Sequence, residues 1–259
     1  MNPKDVLALH DHQLRRHAQP DDPHTTLELT HGVLRQTSTT HGWNGVIWSD
    51  LDHTTADAAI ADQLRHYAGR AFEWKLYAHD QPTDLAQRLQ AAGSTPEPAE
   101  TLMAADIRDQ PTTIDLPEGV HLRPVTDTTD IELMLEVHQQ AFGTSPAHLG
   151  HHLRTQLADA PHTIAAVLAM AGERPVSAAR LTLHPGTDFA GLWSGGTAPD
   201  WRGRGIYRAL VAYRARIAAE RGYRYLQVDA SDDSRPILER LGFIPLTTTT
   251  PHVFFGESL

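Results

Sequence analysis

The chain has 259 residues, of which 40% are hydrophobic and 21% charged, a composition typical of a folded globular protein rather than a disordered or fibrous one. At roughly 150 residues per domain, this length predicts one large or two small domains. The net charge of −10 argues against a nucleic-acid partner, because that affinity depends on Lys and Arg side chains that neutralise phosphates. With no cysteine, no signal-like N-terminus and no apolar run near the roughly 18 residues of a membrane span, we expect a cytoplasmic protein without a membrane partner.

Hydrophobic periodicity predicts alternating helices and strands in the first part of the chain. The helices are expected at 5–17, 55–68 and 83–92, and the strands at 26–36, 45–49, 72–78 and 101–107. The segment 111–118 has two prolines and no apolar period, which makes it the best linker candidate.

The second part begins with a strand at 120–125 and helical material at 127–157 that is interrupted around 143–146. Three strands follow at 163–170, 176–183 and 189–197, then a helix at 205–220, a strand at 223–230, a helix at 234–241 and a final extended segment from 243. Tight turns between the three strands predict a mostly antiparallel sheet, so the fold class is α/β (α+β).

The two parts repeat one another weakly. Trp48-Ser49 corresponds to Trp193-Ser194 at an offset of 145, and Asp80 and Gly93 correspond to Asp229 and Gly242 at 149. A chance match of element order is one explanation, and duplication with a degenerate first copy is the preferred one. The predicted domains are therefore 1–112 and 119–259.

Charge is distributed unevenly between these parts. Residues 1–118 carry 9 Lys and Arg against 18 Asp and Glu, a net charge of −9, whereas 119–259 carry 13 against 14, a net charge of −1. The second part holds a basic island that begins at Arg202 and ends at Arg224, with Glu220 as its one acidic residue. This island requires an explanation in an acidic protein.

The sequence Arg202-Gly-Arg-Gly-Ile leads from the predicted strand 189–197 into the long helix. Apolar side chains of that helix recur every three to four residues, at Ile206, Leu210, Tyr213 and Ile217. The helix is thus expected to pack on the sheet, which fixes the direction of its first turn. Free N–H groups at that end, the positive end of the helix dipole and two glycines favour a bound pyrophosphate. An arginine-rich, solvated helix start is the alternative.

Other phosphate and nucleophile motifs do not fit. A P-loop needs Gly-Lys-Ser/Thr, but the chain's lysines are Lys4 and Lys75, and a dinucleotide fingerprint needs a glycine where Arg208 stands. The sequence Gly191-Leu-Trp-Ser-Gly has its serine one position too late for a nucleophile elbow.

The segment Arg202-Gly-Arg-Gly-Ile resembles the Arg/Gln-x-x-Gly-x-Gly/Ala loop of the GNAT superfamily of N-acetyltransferases. The resemblance covers roughly 119–259 in the order of elements and extends to Leu241-Gly-Phe near the end. It implies a GNAT fold, with a mixed, mostly antiparallel sheet flanked by helices, preceded by a smaller GNAT-like domain, as in tandem members. It also implies acetyl-CoA as co-substrate, bound by Thr197, Ala198, Arg202, Gly203, Arg204, Gly205, Ile206, Tyr207 and Arg208. In the family the loop holds the pyrophosphate; by analogy, the backbone of Thr197 and Ala198 would pair with the pantetheine arm.

Three positions depart from the family pattern. The last Gly/Ala of the loop is Tyr207, whose ring must point away from the phosphates or stack on the cofactor. Gly191 stands where histone-acetylating members have a catalytic glutamate, and Leu238 where many members have a tyrosine that acts as general acid. Both familiar acid–base residues are therefore absent.

Candidates for the remaining chemistry lie at the ends of the predicted strands. Backbone N–H groups near Thr197 are candidates for polarising the thioester carbonyl. Asp229 and Ser231 are the candidates for proton removal, although both also suit a turn and a helix cap. His138, Glu136 and Asp188 are less well placed, and a direct base and a water relay remain open.

Two further groups of residues allow more than one interpretation. Trp193 and Ser194 are predicted to contact the substrate, and Trp193 and Trp201 either line the cleft or belong to the core. The 17 histidines include His10 and His12 and the pair His151-His152, but no third ligand at a defined spacing, so we expect no metal.

The sequence thus predicts an acetyl-CoA-dependent N-acetyltransferase that transfers the acetyl group directly to the amine of a small molecule or peptide. The acidic first part favours a cationic acceptor, and the absence of cysteine excludes an acyl-cysteine intermediate. The alternatives are a catalytically inactive acyl-CoA-binding regulatory protein, suggested by Gly191 and Leu238, and a protein-interaction module that uses the first part. The oligomeric state is left undetermined.

Overall fold

The computed structural model describes residues 1–20, 22–40, 42–111, 113–143, 145 and 147–256, with residues 147 and 148 described by their backbone alone. Thr112 and 257–259, at the ends of the two predicted domains, lie outside the described residues. The chain forms two compact units, of which the first is Met1–Met103, Asp229–Pro236 and Pro245–Leu259, and the second is Ala104–Val228 and Ile237–Ile244. These units interleave along the chain, whereas the predicted domains 1–112 and 119–259 are contiguous; those boundaries stay a prediction.

The first unit begins with helix α1, which is continued by a π-helical segment at Asp11–Arg16. Its elements are α1 (Pro3–His10), β1 (Thr25–Thr30), β2 (Val33–Ser38), β3 (Gly45–Ser49), α2 (Ala56–His66), β4 (Phe72–Tyr77), α3 (Leu85–Ala91), β5 (Thr95–Pro96) and the start of β6 (Glu100–Asp106). The single strand predicted at 26–36 is a hairpin of β1 and β2, because the chain turns at His31 and Gly32, which have φ values of 48° and 77°.

Strands of the first unit lie in the order β1-β2-β3-β4-β12, where β12 (Ile244–Phe254) is the last strand of the chain and also pairs with β5. The pair β3 and β4 is parallel, and β1-β2, β2-β3 and β4-β12 are antiparallel. Residues of α2, α3 and the strands form one apolar core that includes Val46, Ile60, Trp74, Leu89 and Phe254.

The second unit contains the end of β6 and most of the remaining described strands and helices. Its elements are β7 (Val120–Pro124), α4 (Thr128–Phe142), α5 (Ala147–Asp159), β8 (Ile164–Ala171), β9 (Arg174–Leu183), β10 (Phe189–Thr197), α6 (Ile206–Glu220), and the larger parts of β11 (Tyr225–Ala230) and α7 (Arg235–Arg240). The strand order is β7-β8-β9-β10-β11, antiparallel except for the parallel pair β10-β11.

The side chains of β8 alternate between two apolar cores, as expected for a strand that is covered on both faces. Ile164 and Leu168 pack with α4 and α5, whereas Val167 and Ala169 pack with Ile206 and other residues of α6. The two faces of this sheet therefore carry different helices, and α6 is held in a fixed direction.

No helix among the described residues combines the length and the apolar character needed to cross a membrane.

Candidate functional site

The segment between β10 and α6 is a tight loop at the amino end of a long helix. β10 ends at Thr197, a short 3-10 turn follows at Pro199–Trp201, and α6 begins at Ile206. Gly203 and Gly205 have left-handed backbones with φ values of 75° and 82°, a region in which other residues are strained. The path of the loop therefore requires these glycines, and it leads to the first N–H groups of the helix, which have no partner within the helix.

Arg202 connects this loop to two neighbouring elements while its side chain remains exposed. Its Nε donates a hydrogen bond to the Thr197 carbonyl oxygen (3.2 Å), and its Nη2 donates to the Ala141 carbonyl oxygen (2.9 Å) near the end of α4. Because a guanidinium has five N–H donors, these two bonds orient the group without using all of its capacity.

Arg204 and Arg208 bring two more positive charges to the same helix end. The Arg204 guanidinium carbon lies 4.5 Å from the centre of the Trp201 ring, and Nη2 donates to the Asp200 carbonyl oxygen (3.1 Å). A Cβ atom on Gly205 would lie 3.6 Å from Arg208 Nη2, which shows that this side chain is directed back towards the start of the helix. The loop thus combines a helix N-terminus with three guanidinium groups.

Asp200, the acidic residue of the turn, is neutralised by Arg174. Two hydrogen bonds of 2.8 and 3.0 Å join the guanidinium and the carboxylate, and they lower the pKa of Asp200 below its usual value. The charge that the loop offers to an anion is therefore that of its arginines.

β10 and β11 pair at one end and separate beyond it. Parallel pairing joins 189–191 to 225–227, and β10 then continues to Thr197 while paired with β9 on its other side. A bulge lies between Trp193 and Gly196, and Ser194 within it has a left-handed φ of 52°. Bulges redirect side chains and backbone groups and are frequent beside active sites. The predicted substrate residues Trp193 and Ser194 thus lie at this bulge, beside the point where the two strands diverge.

The two residues predicted to pair with a pantetheine arm differ in their backbone hydrogen bonds. The Ala198 N–H donates to the Val176 carbonyl oxygen (2.9 Å), so it is directed towards β9. Hydrogen-bonding groups of successive strand residues point to opposite edges, which directs the Thr197 N–H towards the edge that diverges from β11.

Gly191 has no room for the acidic side chain that histone-acetylating family members carry there. A Cβ atom at this position would lie 2.6 Å from Trp193 Nε1 and 2.8 Å from Gln227 Nε2. Leu238, the other departure from the family pattern, is fully buried. The space of the missing carboxylate is thus occupied by an indole and an amide.

Tyr207, which is partly buried, and Arg214, which is buried, form a pair on α6 that the sequence did not indicate. The Tyr207 ring packs against β10, because a Cβ atom on Gly195 would lie 3.0 Å from Tyr207 Cε2 and 3.8 Å from Arg214 Nη2. Burial raises the pKa of Tyr207 and lowers that of Arg214 to about 10, and the two groups partly offset both shifts by their mutual attraction. The ring therefore points away from the loop.

Asp229 and Ser231, the predicted catalytic residues, belong to the first unit, so the structure does not bring them together with the loop in one unit. The Asp229 carboxylate accepts a short hydrogen bond from the Lys75 ammonium group. Ser231 begins the turn before α7, where its carbonyl oxygen accepts from the Arg235 N–H (2.9 Å) and its hydroxyl from the Ser234 N–H (3.4 Å). Ser231 has the turn contact that the sequence allowed, whereas the contact of Asp229 is an ion pair with Lys75 rather than a turn or a cap. His138, Glu136 and Asp188 lie in the second unit.

Lys75 lies on a polar face of β4 that also carries Glu73 and Tyr77, since alternate strand residues share a face. Burial raises the pKa of Glu73. Burial, followed by repulsion from Asp229, raises the pKa of Glu100 to about 7. This part of the first unit therefore holds several carboxyl groups around one ammonium group.

The start of α2 in the first unit has no glycine–arginine loop. Instead, the Asp52 carboxylate accepts hydrogen bonds from the backbone N–H groups of Thr54 (2.8 Å) and Thr55 (2.9 Å) just before the helix. Hydrogen bonds from Thr54 and then Thr55 lower the pKa of Asp52 to about 2. A carboxylate of the chain itself thus bonds to the turn that leads into α2.

β3 and β4 also separate after a short parallel pairing, at Gly45↔Glu73 and Val46↔Trp74. Beyond that pairing, buried Arg15 from the π-helical segment donates through Nε to the Ile47 carbonyl oxygen (3.2 Å). Its Nη2 donates to both carboxylate oxygens of Asp80 (2.7 and 2.8 Å), and its guanidinium carbon lies 3.7 Å from the centre of the Tyr77 ring. An arginine of the chain itself therefore bonds to β3 at its divergence from β4.

Among the described residues, no group of three or more His, Cys, Asp or Glu side chains has the geometry to hold a metal ion.

Comparison with known proteins gives a family match for the part of the chain that contains the loop. Residues 131–243 match the family model described as "Acetyltransferase (GNAT) family". No curated protein matches the sequence. Among solved structures, a GCN5-related N-acetyltransferase from Kribbella flavida has a TM-score of 0.69 at 19% identity, with 88% of each chain covered.

Two further structures are similar over most of their length. A functionally unknown conserved protein from Staphylococcus epidermidis has a TM-score of 0.67 at 15% identity, covering 89% of this chain and 94% of that one. A tandem GNAT protein from the clavulanic acid biosynthesis pathway has a TM-score of 0.62 at 15% identity, covering 98% and 94%. The chain therefore has the fold of the GNAT acetyltransferases, and residues 131–243, which contain the loop and the diverging strands, match that family.

Proposed function

We propose that the protein is an acyl-CoA-dependent N-acyltransferase that uses acetyl-CoA and acetylates the amine of a small molecule or peptide. The observation that carries this proposal is the loop Arg202–Arg208 at the start of α6, beside the end of β10 where it has separated from β11. That arrangement offers phosphate contacts and a free strand edge next to each other, as an extended nucleotide thioester requires.

The loop would bind the pyrophosphate. Gly203 and Gly205 let phosphate oxygens approach the backbone, and the first N–H groups of α6, including those of Ile206, Tyr207 and Arg208, would donate to them. Arg202, Arg204 and Arg208 would add charge-assisted hydrogen bonds.

The diverging edge of β10 would bind the pantetheine arm. Thr197 is the residue whose backbone faces this edge, so we assign the pairing to it. Ala198 would support the arm through the strand, because its own N–H is bonded to Val176. The acyl group would then lie near the bulge, within reach of Trp193 and Ser194.

In the reaction, the neutral amine attacks the thioester carbonyl carbon, the carbon–sulfur bond breaks, and CoA leaves as a thiolate that takes up the proton lost by the amine. Alignment of the two substrates supplies roughly 7 to 11 kcal/mol of the barrier reduction. Asp229 and Ser231 remain the candidates for proton removal. Because Asp229 is paired with Lys75 and Ser231 caps a turn, we favour a water molecule as the carrier of the proton.

The acidic first part of the chain supports a cationic acceptor. It carries a net charge of −9 over residues 1–118 (9 basic against 18 acidic residues), which attracts amines over a distance of about one Debye length.

We expect a single acyl-CoA site per chain, in the second unit. In the first unit, the Asp52 carboxylate accepts hydrogen bonds from the Thr54 and Thr55 N–H groups just before α2, and Arg15 bonds to β3 where it diverges from β4. An acidic side chain before α2 and an arginine bonded to β3 thus lie in the first unit where the second unit has its glycine–arginine loop and its free strand edge.

The direct test is a screen of small amines and peptides with acetyl-CoA, in which free thiol is measured. Since the chain contains no cysteine, every thiol detected comes from released CoA. Amine-dependent thiol release by the wild-type protein is the expected result. If acetyl-CoA neither binds nor loses its acetyl group, the proposal is wrong.

Arg202→Ala is the matching binding variant. We expect acetyl-CoA to raise the melting temperature of the wild-type protein and to lose at least about tenfold in affinity in the variant, since a charge-assisted bond contributes roughly 1.5–3 kcal/mol. Arg216→Ala is the control, because Arg216 lies on α6 outside the loop and its partner is Glu220. An unchanged temperature rise in Arg202→Ala would remove the loop from the cofactor site.

A catalytically inactive acyl-CoA-binding regulatory protein is the second candidate. It is favoured by Gly191 and Leu238, since the first has no room for a carboxylate and the second carries no hydroxyl group. Tight acetyl-CoA binding without thiol release across a broad amine panel would support this function instead.

A further inference from the structure

Arg214 is a fully buried cation on α6 whose charge no carboxylate neutralises among the described residues. Its side chain is 1% exposed, and no ion pair of the described residues includes it. Tyr207, a neutral phenol, is the ionisable group that stabilises its charge. Burying an unpaired charge costs several kcal/mol of folding free energy. If Arg214 only filled space, an apolar side chain of similar size would serve without loss of stability.

The hydrogen bonds of Arg214 join it to β9 opposite the β10 bulge and to its own helix. Nη1 donates to the Arg180 carbonyl oxygen (3.1 Å), and Nε donates to the Leu210 carbonyl oxygen one turn earlier on α6. Arg180 pairs with Trp193, the last regular pair before the bulge. Arg214 therefore supports β9 at the position where β10 leaves the regular ladder.

Nη2 of Arg214 is buried and meets no acceptor in good hydrogen-bond geometry within the described residues, while the Tyr207 hydroxyl interacts with the guanidinium group and partly offsets the lowering of its pKa by burial. A Cβ atom on Gly195 of β10 would lie 3.8 Å from this Nη2 atom. A donor of this cationic group thus lies beside Gly195 of the bulge, where its field acts on the strand edge.

The position of Arg214 along α6 places it near the acyl end of a bound thioester. It follows Ile206 by eight residues, which corresponds to about 12 Å along a helix. The phosphates would bind at the start of α6, and the pantetheine arm would extend from there along β10 towards the bulge. This step rests on the proposed function.

We propose that Arg214 is a positioning residue for acyl transfer, which holds the β10 bulge in shape and provides the positive field for the oxygen of the tetrahedral intermediate. When the amine attacks, the carbonyl π electrons move onto this oxygen, and they return when the carbon–sulfur bond breaks. A preorganised charge costs no rearrangement at that moment and stabilises the intermediate more than the thioester.

The test compares Arg214→Met and Arg214→Lys with the control Arg216→Met, which changes a half-exposed arginine of the same helix. We expect Arg214→Met to lower kcat about 100-fold, the usual effect of removing one group that stabilises an oxyanion, while the Kd of CoA stays within about threefold. Arg214→Lys retains the charge and should recover about tenfold of this loss. Unchanged kcat in a folded Arg214→Met protein would overturn the proposal, as would equal losses in kcat and CoA affinity.

A second measurement does not depend on turnover or on the folding of Arg214→Met. The infrared carbonyl band of acetyl-CoA labelled with ¹³C at the thioester carbonyl reports the field at that oxygen. We expect the band to move to lower frequency on binding to the wild-type protein and to move less with Arg214→Lys. A band that does not move on binding, although calorimetry shows that acetyl-CoA is bound, refutes the role of Arg214 and leaves the proposed function intact; absence of binding refutes the proposed function itself.

Discussion

At Gly191 the fold leaves no space for a side chain, because Trp193 and Gln227 occupy it. We expect Gly191→Ala to lower the free energy of unfolding by about 1–3 kcal/mol, the usual cost of overpacking a well-filled site. Chemical denaturation measures this change. In a Trp193→Phe background, which lacks Nε1, we expect Gly191→Ala to lower the free energy of unfolding by less, because the closest contact of the new Cβ atom is removed. Equal costs in both backgrounds would show that Trp193 does not limit the space.

Single residues show where sequence reasoning succeeds and where it stops. The glycines and arginines of the loop are recognisable because their spacing has a local cause, the left-handed turn before a helix. Arg214 is not recognisable in this way. The helix has an arginine every few residues, and arginine side chains of a helix usually face solvent. Lys75 and Asp229 pair across 154 residues of sequence, so their contact arises only from the tertiary fold.

Among the elements, the π-helical segment Asp11–Arg16 has the most specific contacts. We expect Arg15→Ala to destabilise the protein by about 3–5 kcal/mol, because it leaves the Asp80 carboxylate, which is 4% exposed, without its charged partner. Thermal unfolding provides the measurement.

Arg16→Ala is the matched control for this segment. Arg16 is exposed and lies over the Trp48 ring at 5.4 Å, so its loss should cost less than about 1 kcal/mol. Similar melting temperatures for the two variants would show that Arg15 does not anchor the segment.

β6 contributes a pH dependence through Glu100, whose pKa is raised from 4.5 to about 7. Burial is the largest cause of this raised pKa; repulsion from Asp229, Glu73 and Glu97 adds to it, and Lys75 opposes it. Between about pH 4.5 and 7 the folded state therefore binds more protons at this site than the unfolded state, so its contribution to stability falls as pH rises through this window.

The variant Glu100→Gln removes this titration. We expect it to stabilise the protein relative to wild type by about 1–2 kcal/mol at pH 8, reduced by solvent screening, and to give almost no benefit at pH 4. Denaturation at several pH values tests this, with the exposed Glu118→Gln as control. A stability difference that does not vary with pH would show that Glu100 titrates normally.

For the whole molecule, much of the element order follows from periodicity and turn residues. The strand predicted at 189–197 is β10, and the predicted helix at 205–220 differs from α6 by one residue. The hairpin at His31-Gly32 was missed because a non-glycine residue adopts a left-handed conformation there. The sequence does not predict the interleaved units, because β12 near the C-terminus lies in the unit that the N-terminal part of the chain forms. The acceptor, the first copy's origin and the cytoplasmic location stay predictions.

We infer that the second unit binds one acyl-CoA through its loop, whereas Asp52 and Arg15 of the first unit bond to the chain itself. Calorimetric titration of the full chain with acetyl-CoA measures this stoichiometry. We expect one acetyl-CoA per chain, with binding that is strongly weakened by Arg202→Ala. Two molecules per chain, or no binding at all, would contradict it.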